Sequence, residues 1–333
     1  MININFFNQI LRFLSTMRGC HDHHPYFGQK GIDTAKISNV ISEIKAACKG
    51  SGTDEKRLIA ATASCNAMER DVVCLEYNKQ TSKHLVQLLK SELNGNLEKL
   101  FVGLYSMRYV FWAQQINAAV MGMGTDEKKL IDLIISCADN EMAEVDRAYT
   151  QLYKVSLLET ISSEGGAAAW VKLLRSWVLN KNTAQGNPEQ IAKRLREAAK
   201  GAGTDEAAII DVLTGVSHNT YRAVDQEFQR LYQKSLRSVL KSEFSGKSEY
   251  AFLAAHDYMI DPVRFVANML YVSMKGIGTD DDKLIYTTVL HCDWCGPWIG
   301  VAYEQMGFGD LRKDIKSDLS GKYETAVLGL WHL

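Results

Sequence analysis

Proline is scarce in this chain, with only Pro25, Pro188, Pro262 and Pro297 among 333 residues. Each internal proline costs a helix about 3 kcal/mol, so its rarity leaves long helices open. Stretches rich in Ala, Leu, Lys and Glu also lack the two-residue alternation of half-buried strands. An all-α chain follows. No apolar run approaches the roughly 20 residues a membrane span needs. Net charge is missing too: 38 Lys and Arg face 39 Asp and Glu. No global field therefore draws nucleic acid, which is not expected as a partner, and any attraction to nucleic acid or lipid must be local or ion-mediated. Seven cysteines are an odd number at irregular spacing, and no Asn-x-Ser/Thr acceptor occurs. Both features favour a reducing, cytoplasmic setting and leave unconventional export to the cell surface open.

The N-terminus has no basic leader and no clear small-residue cleavage site, so a signal peptide is not expected. Phe6, Ile10, Phe13, Leu14 and Met17 fall on one face of a short helix. That face could dock on the chain's own core, or bind a protein partner or a membrane.

What is present is a repeat. Four segments match: Lys49–Glu55 (KGSGTDE), Met121–Glu127 (MGMGTDE), Lys200–Glu206 (KGAGTDE) and Lys275–Asp281 (KGIGTDD). Their threonines, Thr53, Thr125, Thr204 and Thr279, lie 72, 79 and 75 residues apart by subtraction. With each threonine as zero, positions +5 and +6 are Leu or Ile throughout, beginning with Leu58 and Ile59. Position +24 is aromatic (Tyr77, Tyr149, Phe228, Tyr303). Position +32 is leucine (Leu85, Leu157, Leu236, Leu311), and +36 is Leu89, Ile161, Leu240 or Ile315. Fixed apolar positions imply one unit fold repeated four times.

The spacing of Ile37, Val40, Ile41, Ile44 and Cys48 predicts a helix that Gly50 and Gly52 end. Thr53 is then expected to cap the next helix, with the acids after it at the favourable end of the dipole. Ser82 is the expected cap of a helix carrying Leu85, Leu88 and Leu89, and Gly95 its expected end. About four to five helices fit each unit. The polar stretch Asn180–Pro188 reads as a linker between two halves. The expected organisation is a tail at 1–32, repeats at 33–103 and 104–179, a linker at 180–188, and repeats at 189–258 and 259–333.

By itself Gly-x-Gly-Thr-Asp is a join between two helices. A calcium site needs six to eight hard oxygens, usually with a carboxylate among them. Glycine's access to positive φ lets a tight loop turn successive carbonyls toward one point. The acid comes from further along: 39 residues after each threonine stand Glu92, Glu164, Glu243 and Asp318. With acids at about 12% of positions, four independent hits would arise about twice in ten thousand trials. Duplication of the repeat lessens that independence, but the spacing still favours a ligand over a cap. Three of the acids share a Lys-Ser-acid-x-x-Gly setting, whereas the second reads Ser162-Ser163-Glu164-Gly165-Gly166.

With these paired motifs the sequence resembles the annexin family across residues 33–333. The resemblance implies five helices per repeat in a curved disc, with calcium sites on a convex, membrane-facing side. It implies a first site of the carbonyls of Cys48, Gly50 and Gly52 with the carboxylate of Glu92. The second would use Val120, Gly122, Gly124 and Glu164. The third would use Ala199, Gly201, Gly203 and Glu243, and the fourth Met274, Gly276, Gly278 and Asp318. Glu55, Glu127, Glu206 and Asp281 are looser, secondary candidates. Loop residues Lys49, Ser51, Met123, Lys200, Ala202, Lys275 and Ile277 would meet an anionic, phosphatidylserine-like membrane once calcium (Ca2+) is bound. One departure is visible. Annexin repeats commonly carry an arginine late in the second helix, where this chain has Ser64, Cys137, Val216 and Cys292.

An enzyme reading finds no anchor, because no P-loop, Gly-x-Ser-x-Gly or EF-hand loop occurs. Cys292-Asp-Trp-Cys295 echoes a redox motif, but it lies in a helical repeat and no second pair completes a zinc site. Cys20-His-Asp-His-His24 reads as a polar linker rather than a metal catch. The rival to membrane binding is a calcium-independent helical scaffold for protein or cytoskeletal partners.

Overall fold

The computed structural model describes residues 31–333 except Ser51, Met123, Gly201 and Ala202. The apolar face at Phe6–Met17, the Cys20–His24 cluster, one candidate ligand (Gly201) and three candidate membrane contacts (Ser51, Met123, Ala202) lie outside the described residues. Among the described residues there are nineteen helices and no strand, only an isolated bridge between Ala184 and Val216.

The first repeat contains α1 (Thr34–Ala47), α2 (Glu55–Ala63), α3 (Ala67–Gln80), α4 (Leu85–Glu92) and α5 (Gly95–Tyr105). The second contains α6 (Arg108–Val120), α7 (Glu127–Ile135), α8 (Asp139–Tyr153), α9 (Leu157–Ser163) and α10 (Ala169–Leu179). The third contains α11 (Pro188–Ala198), α12 (Glu206–Gly215), α13 (His218–Tyr232), α14 (Leu236–Glu243) and α15 (Gly246–Ile260). The fourth has α16 (Pro262–Met274), a 25-residue α17 (Asp281–Gln305), α18 (Leu311–Asp318) and α19 (Gly321–Leu330). Helix α17 spans what the other repeats divide between two helices. It does so with Pro297 inside it, where the missing amide deletes one ladder hydrogen bond.

The repeated apolar positions form the core. Position +24 is buried in every repeat, from Tyr77 at 5% exposed to Phe228 and Tyr303 at 0%, and so are all four leucines at +32. The chain forms two compact units. One joins the described residues up to Arg108 with Ala267–Leu333, and the other is Tyr109–Val266. In the first unit, the buried Trp331 indole donates to Thr288 Oγ1 at 3.1 Å. Arg70, also buried, pairs with Asp293 and donates to the Cys65 carbonyl. Cys292 lies beside this guanidinium, so a buried arginine is present although it comes from α3 rather than from the end of a second helix. In the second unit, the Trp112 indole donates to the Leu133 carbonyl at 3.0 Å. There the Asn180–Pro188 stretch is tied down by Asn182, which is 8% exposed and donates Nδ2–H to the Leu213 carbonyl at 2.7 Å.

Three local expectations need correction. Asp54, not Thr53, caps α2, accepting from the Arg57 amide at 3.1 Å, and Asp126, Asp205 and Asp280 cap α7, α12 and α17 the same way. Aspartate is a stronger N-cap than threonine, and it stands one residue nearer the helix. Helix α4 starts after His84 without a side-chain cap, so Ser82 plays no such part. Gly95 opens α5 at φ 60° rather than closing α4, which ends at Glu92.

Candidate metal centre

Each candidate site begins where the first helix of a repeat runs out. After Ala47 the chain passes Gly50 at φ 105° and Gly52 at φ 89°. The Asp54 amide then donates back to the Ala47 carbonyl at 2.8 Å. The same closure at 2.8 Å joins Asp126 to Ala119, Asp205 to Ala198 and Asp280 to Ser273. Gly122, Gly124, Gly203, Gly276 and Gly278 also have positive φ, between 82° and 139°. A Cβ built on Gly50, Gly52, Gly124, Gly203, Gly276 or Gly278 would meet no atom within 4 Å. These glycines therefore serve backbone conformation, not steric clearance. The closing amide bond fixes the base of each loop, and the aspartate fixes the start of the next helix.

The acid reaches this loop through the threonine. Thr53 Oγ1 donates to Glu92 Oε2 at 2.7 Å, and Thr204 Oγ1 to Glu243 Oε2 at 2.7 Å. Thr279 Oγ1 donates to Asp318 Oδ2 at 2.9 Å, and Thr125 makes the same bond to Glu164. Glu92, Glu243 and Asp318 are the last residues of α4, α14 and α18. Glu164 is instead the C-cap of α9, followed by Gly165 and by Gly166 at φ 57°. Despite its different flanks, the second acid is placed against its threonine like the other three.

The donor chemistry fits a hard divalent cation. Among the described residues no cluster of three or more His, Cys, Asp or Glu side chains forms a site. Each loop offers backbone carbonyls and one carboxylate, an all-oxygen set suited to calcium rather than to metals that need imidazole or thiolate. A carboxylate has about four lone-pair positions, and the threonine hydroxyl uses one. Both oxygens thus remain available to a cation. In the first loop, burial and the neighbouring Glu92 push the Cys48 thiol up to about 11. That side chain stays neutral at ordinary pH and only its carbonyl is a hard donor.

Around the loops, Lys49, Lys200 and Lys275 are exposed. The Lys275 ammonium sits 5.0 Å from the centre of the Tyr271 ring, which stacks on Phe308 with centroids 3.9 Å apart. Ile277 is fully exposed at the fourth loop tip. Met121, at the position where the other three motifs have lysine, is 69% exposed, a flanking apolar residue that the motif comparison passed over. The secondary acids differ in their surroundings. Glu127 pairs with Lys247, which holds its carboxyl below the usual range, and Glu206 pairs with Lys172 at 3.0 Å. Cys292 and Cys295 are buried in α17, and the Cys295 thiol donates to the His291 carbonyl at 3.0 Å. Burial raises both thiols far above their ordinary range, so neither is a nucleophile at neutral pH.

The annexin family model matches residues 41–104, 111–167, 190–255 and 264–330. Annexin A13 of Canis lupus familiaris is 31% identical over 303 residues, covering 89% of this chain and 95% of its own length. Annexin A4 of Homo sapiens is 33% identical over 298 residues, with 86% and 92% covered. Among solved structures, annexin III matches with a TM-score of 0.83 at 29% identity, over 91% of this chain and 95% of that one. Calcium-bound alpha-14 giardin matches at 0.80 and 26% identity, over 89% and 99%.

Proposed function

The chain belongs to the annexin family, and from that premise we propose that it binds calcium at four loop-and-carboxylate sites and thereby anionic phospholipid membranes. The observation that carries the proposal is the threonine-to-acid hydrogen bond, made in all four repeats across 39 residues of chain. It sets a carboxylate against a loop whose backbone is already closed. The holders are the carbonyls of Cys48, Gly50 and Gly52 with Glu92, and their counterparts ending in Glu164, Glu243 and Asp318.

Three carbonyls and a two-oxygen carboxylate supply about five of the six to eight oxygens calcium takes. Once bound, the ion would bring unneutralised charge and open positions that a lipid phosphate or carboxylate can fill. The protein's part is to leave the site short of ligands, and to surround it with Lys49, Lys200 and Lys275, which favour anionic headgroups. Ile277 and Met121 add exposed apolar surface beside two loops. Lipid and cation each raise the other's affinity by the same factor, and four sites add avidity. The protein accordingly rests in the cytoplasm and moves to membranes when calcium rises. The repeats are read near the expected bounds of 33–103, 104–179, 189–258 and 259–333, with α5 carrying the first to Tyr105, α11 opening the third at Pro188 and α15 carrying it to Ile260.

Sedimentation with phosphatidylserine vesicles tests the reading. Wild-type protein should pellet with calcium and stay in solution with chelator. The combined Glu92→Gln, Glu164→Gln, Glu243→Gln and Asp318→Asn variant should stay in solution in both. Calcium-independent pelleting, or unchanged pelleting by the variant, would favour the scaffold alternative instead.

A further inference from the structure

We propose that the second and third sites are coupled by two reciprocal braces inside the Tyr109–Val266 unit, and that Lys172 and Lys247 are their positioning residues. The inference rests on the calcium reading above and concerns how two of those sites act together.

Each site has two halves, a loop that leads into a capped helix and an acid at the end of a later helix. The second site has its loop before α7 and its acid at Glu164, after which the chain turns through Gly165 and Gly166 into α10. The third has its loop before α12 and its acid at Glu243, after which Gly246 opens α15. The acid half of each site grips the loop half of the other. Lys247, four residues past Glu243, pairs with Glu127, two residues past Thr125. Three residues further along α15, the Tyr250 hydroxyl donates to Asp132 Oδ1 at 2.7 Å, and Asp132 is 1% exposed. In the other direction Lys172, eight residues past Glu164, pairs with Glu206, two residues past Thr204, at 3.0 Å. Asn180, at the end of α10, donates Nδ2–H to Thr214 Oγ1 of α12 at 2.9 Å.

The exchange is symmetric in kind: in both directions a lysine holds the acid at +2 after the motif threonine, and a second hydrogen bond lies deeper along the same pair of helices. Glu127 and Glu206 therefore carry their own cations from within the fold. Fixing Glu164 on a cation in the second loop steadies the start of α10, and through Lys172 the base of the third loop. Fixing Glu243 does the same for the second loop through Lys247. Ordering one site lowers the cost of ordering the other, and linkage makes the effect equal in both directions. Lys172 and Lys247 are about half exposed, so either pair alone contributes little, and both must be removed to uncouple the sites.

The test uses the full chain with the first and fourth sites silenced by Glu92→Gln and Asp318→Asn. Calcium is titrated calorimetrically in the presence of a short-chain phosphatidylserine kept below its micelle concentration, so that no shared surface adds avidity. The braced parent should bind with a Hill coefficient above 1. Adding Lys172→Met and Lys247→Met should lower it toward 1 and raise the half-saturating calcium by about twofold, while Lys172→Arg with Lys247→Arg should preserve both values. Loss of two positive charges would by itself tighten calcium binding, so the expected direction is opposite to that of a simple charge effect. An unchanged coefficient on removing the lysines, or tighter binding without a change in coefficient, overturns the coupling while leaving the calcium sites standing. A parent that shows no calcium response overturns the calcium reading, and the coupling with it.

Discussion

Replacing the four motif threonines by valine asks whether the hydroxyl prepares the acid for a cation or competes for it. Valine keeps the shape and deletes the hydroxyl that donates at 2.7 Å to Glu92 and Glu243 and at 2.9 Å to Asp318. A hydrogen bond to a charged group contributes about 1.5–3 kcal/mol when buried. These threonines are half-buried, so each bond contributes about 1 kcal/mol to holding its acid in place, and a change of about 1 kcal/mol in binding is roughly fivefold in affinity. The carboxylate keeps free lone pairs on both oxygens while the hydroxyl is bound, so the bond persists in the loaded site; what valine removes is the prior ordering of the acid, which must then be ordered on binding at a cost of about 1 kcal/mol, and binding should weaken. If each site weakens fivefold, the whole calcium dependence of vesicle pelleting slides by that factor, whatever the cooperativity among sites. The combined Thr53→Val, Thr125→Val, Thr204→Val and Thr279→Val variant should therefore need about five times more calcium for half-maximal pelleting on phosphatidylserine vesicles. The serine series, which retains the hydroxyl, should stay near wild type. A half-point that is unchanged or lower in the valine series, with unaltered thermal unfolding, would refute the idea that threonine orients the acid.

The fold and the four threonine-to-acid pairings were legible because duplication writes each constraint four times. Leu85, Leu157, Leu236 and Leu311 recur at one spacing because each is buried at the same place in its repeat. The acids recur at 39 because each meets the hydroxyl of its own repeat. Single-copy features were not legible. Pro297 argues for a helix boundary, yet α17 runs through it. Lys247 and Lys172 look like ordinary solvated lysines, because their partners lie 120 and 34 residues away in sequence. Arg70 meets Asp293 across 223 residues. The misassigned cap has a related cause. Local propensity saw Thr53 and Asp54 as two capping residues in a row and could not see that the first was committed to Glu92. Long-range chemistry is recoverable from one sequence where repetition supplies the comparison, and the reciprocal braces escaped because their lysines do not occupy matching positions after the two acids.

Gly278→Ala tests the loop backbone: a side chain at φ 82° costs about 1 kcal/mol or more although nothing crowds it. Weaker calcium binding in a background where only the fourth site is intact is the expected result, and unchanged affinity and stability would argue that the positive φ is dispensable. His256 sets a pH dependence. It is 4% exposed, with Nδ1 3.0 Å from the Tyr221 hydroxyl, and burial lowers it to about 4 from an ordinary 6.5. The unfolded chain takes up the proton near 6.5 and the folded chain only near 4, so between those values the unfolded state binds more protons. Stability from this residue is complete above pH 6.5 and is lost as pH falls toward 4, by about 3 kcal/mol at most. Other carboxyls titrate in the same window, so the informative quantity is the difference between wild type and His256→Gln in chemical denaturation at pH 7 and pH 4.5. The variant should lose stability at pH 7, where the neutral imidazole fits its site, and the gap should narrow as the medium is acidified. A gap independent of pH would mean that the imidazole is not held neutral by its burial.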